Sequence, residues 1–319
     1  MKTLLPALAS AALLLSTACV APQNAAADPS TKSLSEEIDP MTAPWRGGQE
    51  AFLAACEDWD EWDKPAPPFQ IIGNTFHVGT CGISAILVVG PEGHILIDSG
   101  TEGGVKVVLD NIRKLGFDPA DVKYIATSHE HHDHVGGHAA FVRATGATVV
   151  SSEAGAEVLR RGQVGPDDPQ SGVHEAMEPV AVGLVLQDGE TLKLGELELT
   201  AHATPGHTPG ALSWTWWGCS LPGEPPVCRR VAYVDSLSPV SADDYRFSDH
   251  PAYVAQFRQS FAEVAALPCD ILLTPHPSSS AMLSRMRDGA LDDQAACAAY
   301  ARAGEKRLDA RLAKEGEGS

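Results

Sequence analysis

The sequence predicts an α/β protein in which sheets lie inside and helices lie outside. Apolar runs of strand length recur through both halves of the chain, at residues 69–72, 75–78, 84–89, 94–98, 122–126, 147–151, 180–185, 190–194, 196–203, 212–217, 229–235 and 271–274. Segments with helical spacing of apolar residues alternate with them, at 51–62, 105–115, 137–144, 154–161, 254–264 and 292–314. Because no linker interrupts this alternation, a single layered domain is expected.

Turn and loop residues mark the ends of these elements. The first helix is expected to end before the proline-rich segment 65–68, with Trp59 and Trp62 packing it down. A glycine-proline turn at 90–93 separates two strands. Residues 162–179 form a long polar stretch rich in glycine, proline and aspartate, and a loop of that length is more often functional than idle. We expect it to act as a lid beside a site.

The N-terminus has the features of an export signal. Lys2 is followed by an apolar run at 4–15 and then by small residues, which predicts a signal peptide over 1–27 that is too short to span a bilayer. The alternative is a lipoprotein signal that ends before Cys19. A loose tail over 28–45 and one domain over 46–319 complete the predicted organisation. Export predicts a periplasmic protein, with no stable membrane insertion beyond a lipid anchor in the alternative case.

Charge narrows the range of partners. The chain has 319 residues and a formal net charge of -19, and it contains no basic run of the size that a nucleic acid would need. A nucleic-acid partner is therefore not expected. A small-molecule substrate and a monomeric state are the working expectations.

Export also allows disulfide bonds. Of the seven cysteines, the six that remain after Cys19 can pair in many ways, and the sequence alone does not choose between them. Proximity along the chain favours Cys56–Cys81, Cys219–Cys228 and Cys269–Cys297. Metal ligation by these cysteines is the rival interpretation, and the absence of any Cys-x-x-Cys pair in the sequence weighs against it.

The densest chemical signal is the stretch 127–137, TSHEHHDHVGG, which contains four histidines and one aspartate within six residues. It follows the predicted strand 122–126 and precedes the predicted helix 137–144, so it is expected on a loop at a sheet edge. Imidazole nitrogen and carboxylate oxygen suit zinc. The plain alternative, a solvated histidine-rich loop, does not account for so many ligand-type side chains in so few positions.

Two further histidines also follow predicted strands. His207 lies in the segment 204–210, TPGHTPG, and His276 lies in the segment 274–277, TPHP. Proline and glycine on both sides restrict the backbone and leave each ring at a sheet edge. Alone, either would be a packed or surface histidine, but beside the main cluster a ligand role is favoured. His132 is expected to flank the pocket without binding metal, and the remaining histidines are expected at the surface or behind the ligands.

Taken together, His129-x-His131-x-Asp133-His134, His207 and His276 resemble the metallo-β-lactamase superfamily over nearly the whole mature chain. The segments 204–210, 235–238 (DSLS) and 274–277 resemble the third subclass of class B, subclass B3. The six cysteines are similar to a three-disulfide branch of that subclass, which supports the pairing above. The resemblance implies an αβ/βα sandwich of two mixed sheets flanked by helices, with two zinc ions at the sheet edge.

The resemblance also implies roles for individual residues. His129, His131 and His207 would hold the first zinc, and Asp133, His134 and His276 the second, with Asp133 also orienting the water that attacks. Asp98 resembles a carboxylate that orients a ligand ring; the alternative is a helix or turn cap. By the same resemblance, Ser236 would touch solvent near the second zinc and Ser238 would contact the substrate carboxylate; the alternative is ordinary turn serines.

The implied activity is zinc-dependent hydrolysis of the β-lactam amide bond of penicillins, cephalosporins and carbapenems, which would confer antibiotic resistance. The fold also hosts other hydrolases, so a glyoxalase-II-like thioesterase or a lactonase is an alternative. Many of those use an aspartate to bridge the metals. Asp235 facing the metals would therefore favour them, whereas Ser236 facing the metals would favour a β-lactamase. A non-enzymatic periplasmic zinc-binding protein is a further alternative, against which open coordination positions argue.

Overall fold

The computed structural model describes residues 47–221 and 224–317. The predicted signal peptide over 1–27, Cys19 and the predicted tail over 28–45 lie outside the described residues. Within the described part, strands and helices alternate, and the strands form two mixed sheets. The predicted fold class is confirmed.

Seven strands of the described chain form the first sheet and lie side by side in sequence order. They are β1 (Phe69–Ile72), β2 (Thr75–His77), β3 (Ile86–Gly90), β4 (Gly93–Ile97), β5 (Val122–Ala126), β6 (Thr148–Ser151) and β7 (Val182–Val185). Neighbours from β1 to β4 are antiparallel, and neighbours from β4 to β7 are parallel. Because parallel strands end at the same edge of a sheet, Asp98 after β4 and the histidine cluster after β5 meet there.

Five strands form the second sheet, in the order β12-β11-β10-β9-β8. They are β8 (Thr191–Leu194), β9 (Leu197–Ala203), β10 (Leu212–Cys219), β11 (Cys228–Tyr233) and β12 (Ile271–Leu273). β10 is antiparallel to both β9 and β11, while β11 and β12 are parallel. The strands β9, β11 and β12 therefore run in one direction. His207, Asp235 and His276, which follow these strands, emerge at one edge.

Most helices cover the outer faces of the two sheets, and two of them, Gly48–Ala55 and Met282–Arg287, pack against the apolar cluster between the sheets. Those described are α1 (Gly48–Ala55), α2 (Val105–Lys114), α3 (His132–Val135), α4 (His138–Thr145), α5 (Glu153–Arg161), α6 (Pro251–Ala266), α7 (Met282–Arg287) and α8 (Ala296–Glu317), with 3-10 turns at Pro119–Asp121, Phe247–Asp249 and Pro277–Ser280. No described helix is both long enough and apolar enough to cross a membrane.

Three apolar clusters show the layering. One lies between the sheets and joins residues such as Ile95 of β4 and Trp214 of β10. A second packs α2 and α4 on the outer face of the first sheet, and a third packs α6 and α8 on the outer face of the second. Strands β3 and β4 are thus buried on both faces, which explains why they read as continuous apolar runs, whereas β8 and β9 alternate between buried and more exposed residues.

Two local predictions were wrong. The first helix ends at Ala55, and Trp59 and Trp62 lie beyond it with 72% and 38% of their surfaces exposed, so they do not pack it down. The predicted loop 127–137 contains the short helix α3 within the cluster itself. A four-residue helix is too short to leave a periodic apolar pattern, so sequence spacing does not reveal it.

Three disulfides are present among the described residues, with the pairing Cys56–Cys81, Cys219–Cys228 and Cys269–Cys297. Each connects segments close in sequence, separated by 25, 9 and 28 residues respectively. Each is expected to stabilise the fold by roughly 2–4 kcal/mol, chiefly by restricting the unfolded chain. The third ties α8 to the segment just before β12, close to the strand end that carries His276.

His77 is buried in the apolar interior, contrary to the expectation of a surface or supporting position. Its ring stacks on Phe69 at 5.2 Å and meets Phe52 edge-on at 5.0 Å. Both ring nitrogens lack a hydrogen-bond partner among the described residues, and burial lowers the pKa of His77 to about 3. The folded protein therefore holds this ring neutral at any pH at which it is expected to work.

This burial predicts a pH-dependent stability. Because the pKa of His77 is lower in the folded state, the unfolded chain binds more protons, and stability is lost as pH falls below about 6.5. Between pH 6.5 and pH 5 the loss is about 2 kcal/mol. His77→Phe should remove this part of the loss in urea unfolding of the metal-loaded protein. His250→Phe, at an exposed position, is the control, and an unchanged pH dependence in His77→Phe would contradict the assignment.

Candidate metal centre

The histidine cluster lies where β5 meets α3, at the edge shared by the two sheets. The Leu212 amide donates to the Ser128 carbonyl at 2.7 Å, which joins the first residues of the cluster to the second sheet. The helix α3 begins directly after His131, and the His134 amide donates to the His131 carbonyl at 3.0 Å. This turn directs Asp133 and His134 to one side, and both are buried.

Asp133, His134 and His276 converge tightly. Asp133 Oδ2 lies 3.0 Å from His134 Nε2 and 3.3 Å from His276 Nε2, and the two Nε2 atoms are 3.2 Å apart. Ligands of a tetrahedral zinc ion at 2.0–2.1 Å are separated by about 3.3 Å. His276 Nδ1 donates to the Gly82 carbonyl at 3.2 Å, so its Nε2 keeps the lone pair. These three atoms have the spacing of a metal site.

A second group of donors lies next to the first. Ligand atoms of His129, His131 and His207 lie within 4.8 Å of one another. His129 Nδ1 donates to Asp235 Oδ1 at 2.7 Å, and His131 Nε2 donates to Asp168 Oδ2 at 3.1 Å. Each carboxylate thereby sets the tautomer of its ring and leaves the opposite nitrogen free to bind a cation. His129 Nε2 is buried and has no partner in the described part of the chain.

His207 completes this group from the other sheet. Its Nδ1 donates to the Ser238 carbonyl at 3.0 Å, which again leaves Nε2 available. The segment before it must contain a glycine, because a Cβ at Gly206 would come within 2.0 Å of the Phe257 ring. The backbone can therefore approach α6 closely, and this contact holds His207 at the edge.

Burial determines the charge of both groups. Burial lowers the pKa values of His131 and His207 to about 3, so both rings are neutral at pH 7 and offer lone pairs. Burial alone would raise the pKa of Asp133. The charge and the hydrogen bond of His134, together with the neighbouring His276, outweigh this burial and hold the pKa of Asp133 well below its ordinary value. Asp133 in turn raises the pKa of His134 above its ordinary value despite burial. The pocket thus combines imidazoles, those of His131 and His207 neutral, with one ionised carboxylate, a donor set suited to zinc.

Asp98 lies behind the cluster. It accepts hydrogen bonds from the Ser128 amide at 2.8 Å, from Ser128 Oγ at 2.6 Å and from the Tyr233 hydroxyl at 2.8 Å. Its Oδ2 is 3.9 Å from His134 Nδ1, within ion-pair range but beyond hydrogen-bond length. Its backbone has φ of 60°, an unusual value for a non-glycine residue, held by the network around it. Asp98 thus ties both sheets to the loop that carries the histidines.

The chain matches a known protein family and several solved structures. The profile of the Metallo-beta-lactamase superfamily matches residues 78–218. The solved structure of the MIM-2 metallo-β-lactamase is 50% identical, with a TM-score of 0.80 over 84% of this chain and 98% of that chain. The chain belongs to the metallo-β-lactamase superfamily.

Within this superfamily, the chain is similar to solved structures of one subclass. MEM-A1, a subclass B3 metallo-β-lactamase from a soil metagenome library, is 40% identical with a TM-score of 0.76, covering 81% of this chain and all of that chain (100%). The resemblance to subclass B3 and to its three-disulfide branch is confirmed. These structures are of hydrolases, which supports an enzyme over a zinc-storage protein.

A more distant relative has a different substrate. The N-acyl homoserine lactonase AttM of Agrobacterium fabrum is 31% identical over 177 residues, which cover 46% of this chain and 62% of that protein. The chain thus spans less than two thirds of the curated lactonase that it matches. The superfamily in general therefore does not decide between a lactam and a lactone.

The position of Asp235 bears on this choice. It accepts from Nδ1 of His129, on the side of the ring opposite to the free Nε2, and it is completely buried. A carboxylate there orients His129 and does not lie between the two donor groups. The structure therefore does not place Asp235 as a bridge, the arrangement that would have favoured a thioesterase or lactonase.

Ser236 and Ser238 lie beyond the end of β11, on a loop. Ser236 is buried directly after Asp235, and Ser238 is half-buried. The main-chain carbonyl of Ser238 already holds His207. Contacts of either hydroxyl with a substrate remain a prediction.

Glu130 is a member of the site that sequence reasoning missed. Its carboxylate accepts from Thr208 Oγ1 and from the Gly210 amide, each at 2.8 Å, and burial raises its pKa to about 7. It thus clamps the His207 loop to the loop of His129 and His131. A charged residue between two histidines was the only available signal, and it does not distinguish a buried clamp from a solvated side chain.

The predicted lid segment 162–179 does reach the site. Asp168 holds His131, and Gln170 Nε2 lies 3.5 Å from His131 Nδ1. Asp168 and Gln170 are both buried although the segment is rich in turn residues. This segment therefore forms part of the wall beside the first donor group. Its sequence carried no signal that would single out Asp168.

Proposed function

We propose that this protein hydrolyses the β-lactam amide bond of penicillins, cephalosporins and carbapenems with two zinc ions. His129, His131 and His207 would hold the first ion, and Asp133, His134 and His276 the second. The likeness to β-lactamases over nearly the full length of those chains supports this proposal. The observation that carries it within the site is Asp235, which accepts from Nδ1 of His129, on the side of the ring opposite to Nε2.

Zinc in these positions would supply Lewis acidity and a water that ionises near neutral pH. The residues of the chain do the rest. Asp133 is ionised, so its carboxylate can accept a hydrogen bond from the attacking water and orient it. Asp235 and Asp168 hold the rings of His129 and His131, which keeps the first donor group rigid. Ser238 is our candidate for the residue that binds the substrate carboxylate, and Ser236 lies close to it in the chain.

The paired cysteines bear on the cellular compartment of the protein and on the choice of nucleophile. Three disulfides persist in an oxidising environment, which supports export to the periplasm. Because all six cysteines of the described residues are paired, none of them offers a thiolate nucleophile. A water that ionises at zinc needs no side-chain nucleophile, so we propose direct attack of water without a covalent enzyme intermediate. Acting there as a monomer, the enzyme would confer antibiotic resistance.

A substrate panel tests this proposal. The purified protein, loaded with zinc, should be assayed with a penicillin, a cephalosporin, a carbapenem, an N-acyl homoserine lactone and a hydroxyacylglutathione thioester. We expect kcat/KM for the best β-lactam to exceed that for the lactone and thioester by about two orders of magnitude or more. Preference for the lactone would indicate a lactonase similar to AttM, and preference for the thioester would indicate a glyoxalase-II-like thioesterase. Either result would overturn the β-lactamase proposal.

A further inference from the structure

His132 and His174 form a pair that the two donor groups do not use. His132 Nδ1 and His174 Nδ1 face each other at 3.0 Å across the gap between α3 and the lid segment. Both side chains are half-buried, so the pair lies at the mouth of the site and is accessible from solvent. The separation of 3.0 Å is close to the roughly 3.0–3.4 Å between adjacent nitrogen ligands on one divalent ion.

The tautomer of His174 is set in favour of metal binding. Its Nε2 lies 3.2 Å from Gln170 Oε1, a carbonyl oxygen that can only accept, so Nε2 carries the proton. The lone pair of His174 therefore lies on Nδ1 and points at His132. This arrangement of a supporting acceptor behind a ring is the one that fixes histidine ligands in metal sites.

Asp133 supplies a third donor. One of its ligand atoms lies within 4.8 Å of those of His132 and His174, and these atoms are within the same distance of each other. Oδ2 of Asp133 contacts His134 and His276, whereas Oδ1 is buried and has no hydrogen-bond partner within the described chain. A carboxylate binds two ions through its two oxygens when both lie on suitable sides. Asp133 therefore has one oxygen left for a further cation.

The surroundings of His132 favour a cation. A cavity of about 530 Å³ adjoins His132, and its lining includes Glu61, Asp63, Glu102 and Glu175. Acidic walls raise the local concentration of cations at the mouth of a cleft. The rings of Trp62 and His132 pack edge to face, with their centroids 5.5 Å apart, and this contact limits the space beside His132.

From these contacts we infer that His132, His174 and Asp133 form a third binding site for a divalent transition-metal ion of the zinc, nickel or copper type. Two imidazoles and one carboxylate select this class over calcium or magnesium. The site is weaker than the two inner ones, because it is more exposed and shares Asp133. When excess zinc fills this third site, the ion would compete for Asp133 and inhibit hydrolysis. This inhibition rests on the proposed function.

Metal binding itself provides the test. Equilibrium dialysis of the full protein against a rising series of zinc concentrations should show two tight equivalents and a third, weaker one. His174→Phe and His132→Phe keep a ring in place but remove the donor nitrogen, and each should lose the third equivalent while keeping two. His250→Phe, at an exposed ring stacked on Tyr245, should keep all three.

A spectroscopic measurement separates binding by these rings from adventitious binding. Copper(II) added to the protein that already holds two zinc ions should give an electron paramagnetic resonance signal with nitrogen couplings from two imidazoles. That signal should be lost in His174→Phe, with the zinc content unchanged by mass spectrometry. Saturation of the wild type at two equivalents, or a third equivalent that survives in both ring variants, would overturn the site and leave the pair as a hydrogen bond that tethers the lid.

The metal-binding test of the third site and the substrate panel can succeed or fail independently of each other. A third equivalent in a protein that fails to hydrolyse β-lactams would leave the site intact and remove only the predicted inhibition. Conversely, β-lactam hydrolysis with two equivalents only would leave the proposed function standing. If both hold, excess zinc should reduce turnover in the wild type and in His250→Phe, and leave turnover in His174→Phe unchanged.

Discussion

Turnover of a penicillin and of a carbapenem is expected to stop when a chelator removes the metal, and to return when zinc is added back. The side chains that converge at the sheet edge are imidazoles and one carboxylate. They have the donor chemistry for a cation, and the described cysteines are all paired. Without metal, the site therefore lacks the means to ionise water at neutral pH.

The chelator experiment requires two controls. Residual metal must be measured in the treated protein, so that activity is compared with occupancy. Circular dichroism should show that the metal-free protein remains folded, as three disulfides and three apolar clusters lead us to expect. Unchanged turnover in protein that measurably contains no metal would end the zinc mechanism.

Asp133→Ala is expected to lose one of two zinc ions and to reduce kcat by at least about a hundredfold. Asp133 Oδ2 is the atom on which His134 and His276 converge, at 3.0 and 3.3 Å. Its removal leaves two imidazoles without their anionic partner and leaves the attacking water without its acceptor. Metal content and steady-state kinetics of the variant check both parts.

Asp244→Ala is the matched control for this variant, because Asp244 is an exposed aspartate outside both donor groups. It should keep both zinc ions and the wild-type rate. Retention of two tightly bound zinc ions by Asp133→Ala would refute the ligand assignment. Loss of zinc with little loss of rate would instead show that the first donor group alone carries the chemistry.

The sequence by itself determined the fold class and the identity of the converging donors. Strand-length apolar runs follow from burial of strands such as β3 and β4 on both faces, a constraint that acts on every residue of such a strand and so is visible in composition. His207 and His276 could be selected because each follows a strand directly, and strand ends are where a sheet presents side chains to a common edge. The disulfide pairing was accessible because each bond closes a short segment.

Only the tertiary structure decided what stands behind each donor. His129 meets Asp235 across 106 residues, and His131 meets Asp168 across 37 residues. Residue type shows that an aspartate can support a ring, but not which of its neighbours turns inward. The same limit applies to Glu130, which is clamped by Thr208, and to Trp62, which is exposed at the mouth. Such contacts depend on the path of loops, whose direction no periodic pattern in the sequence records.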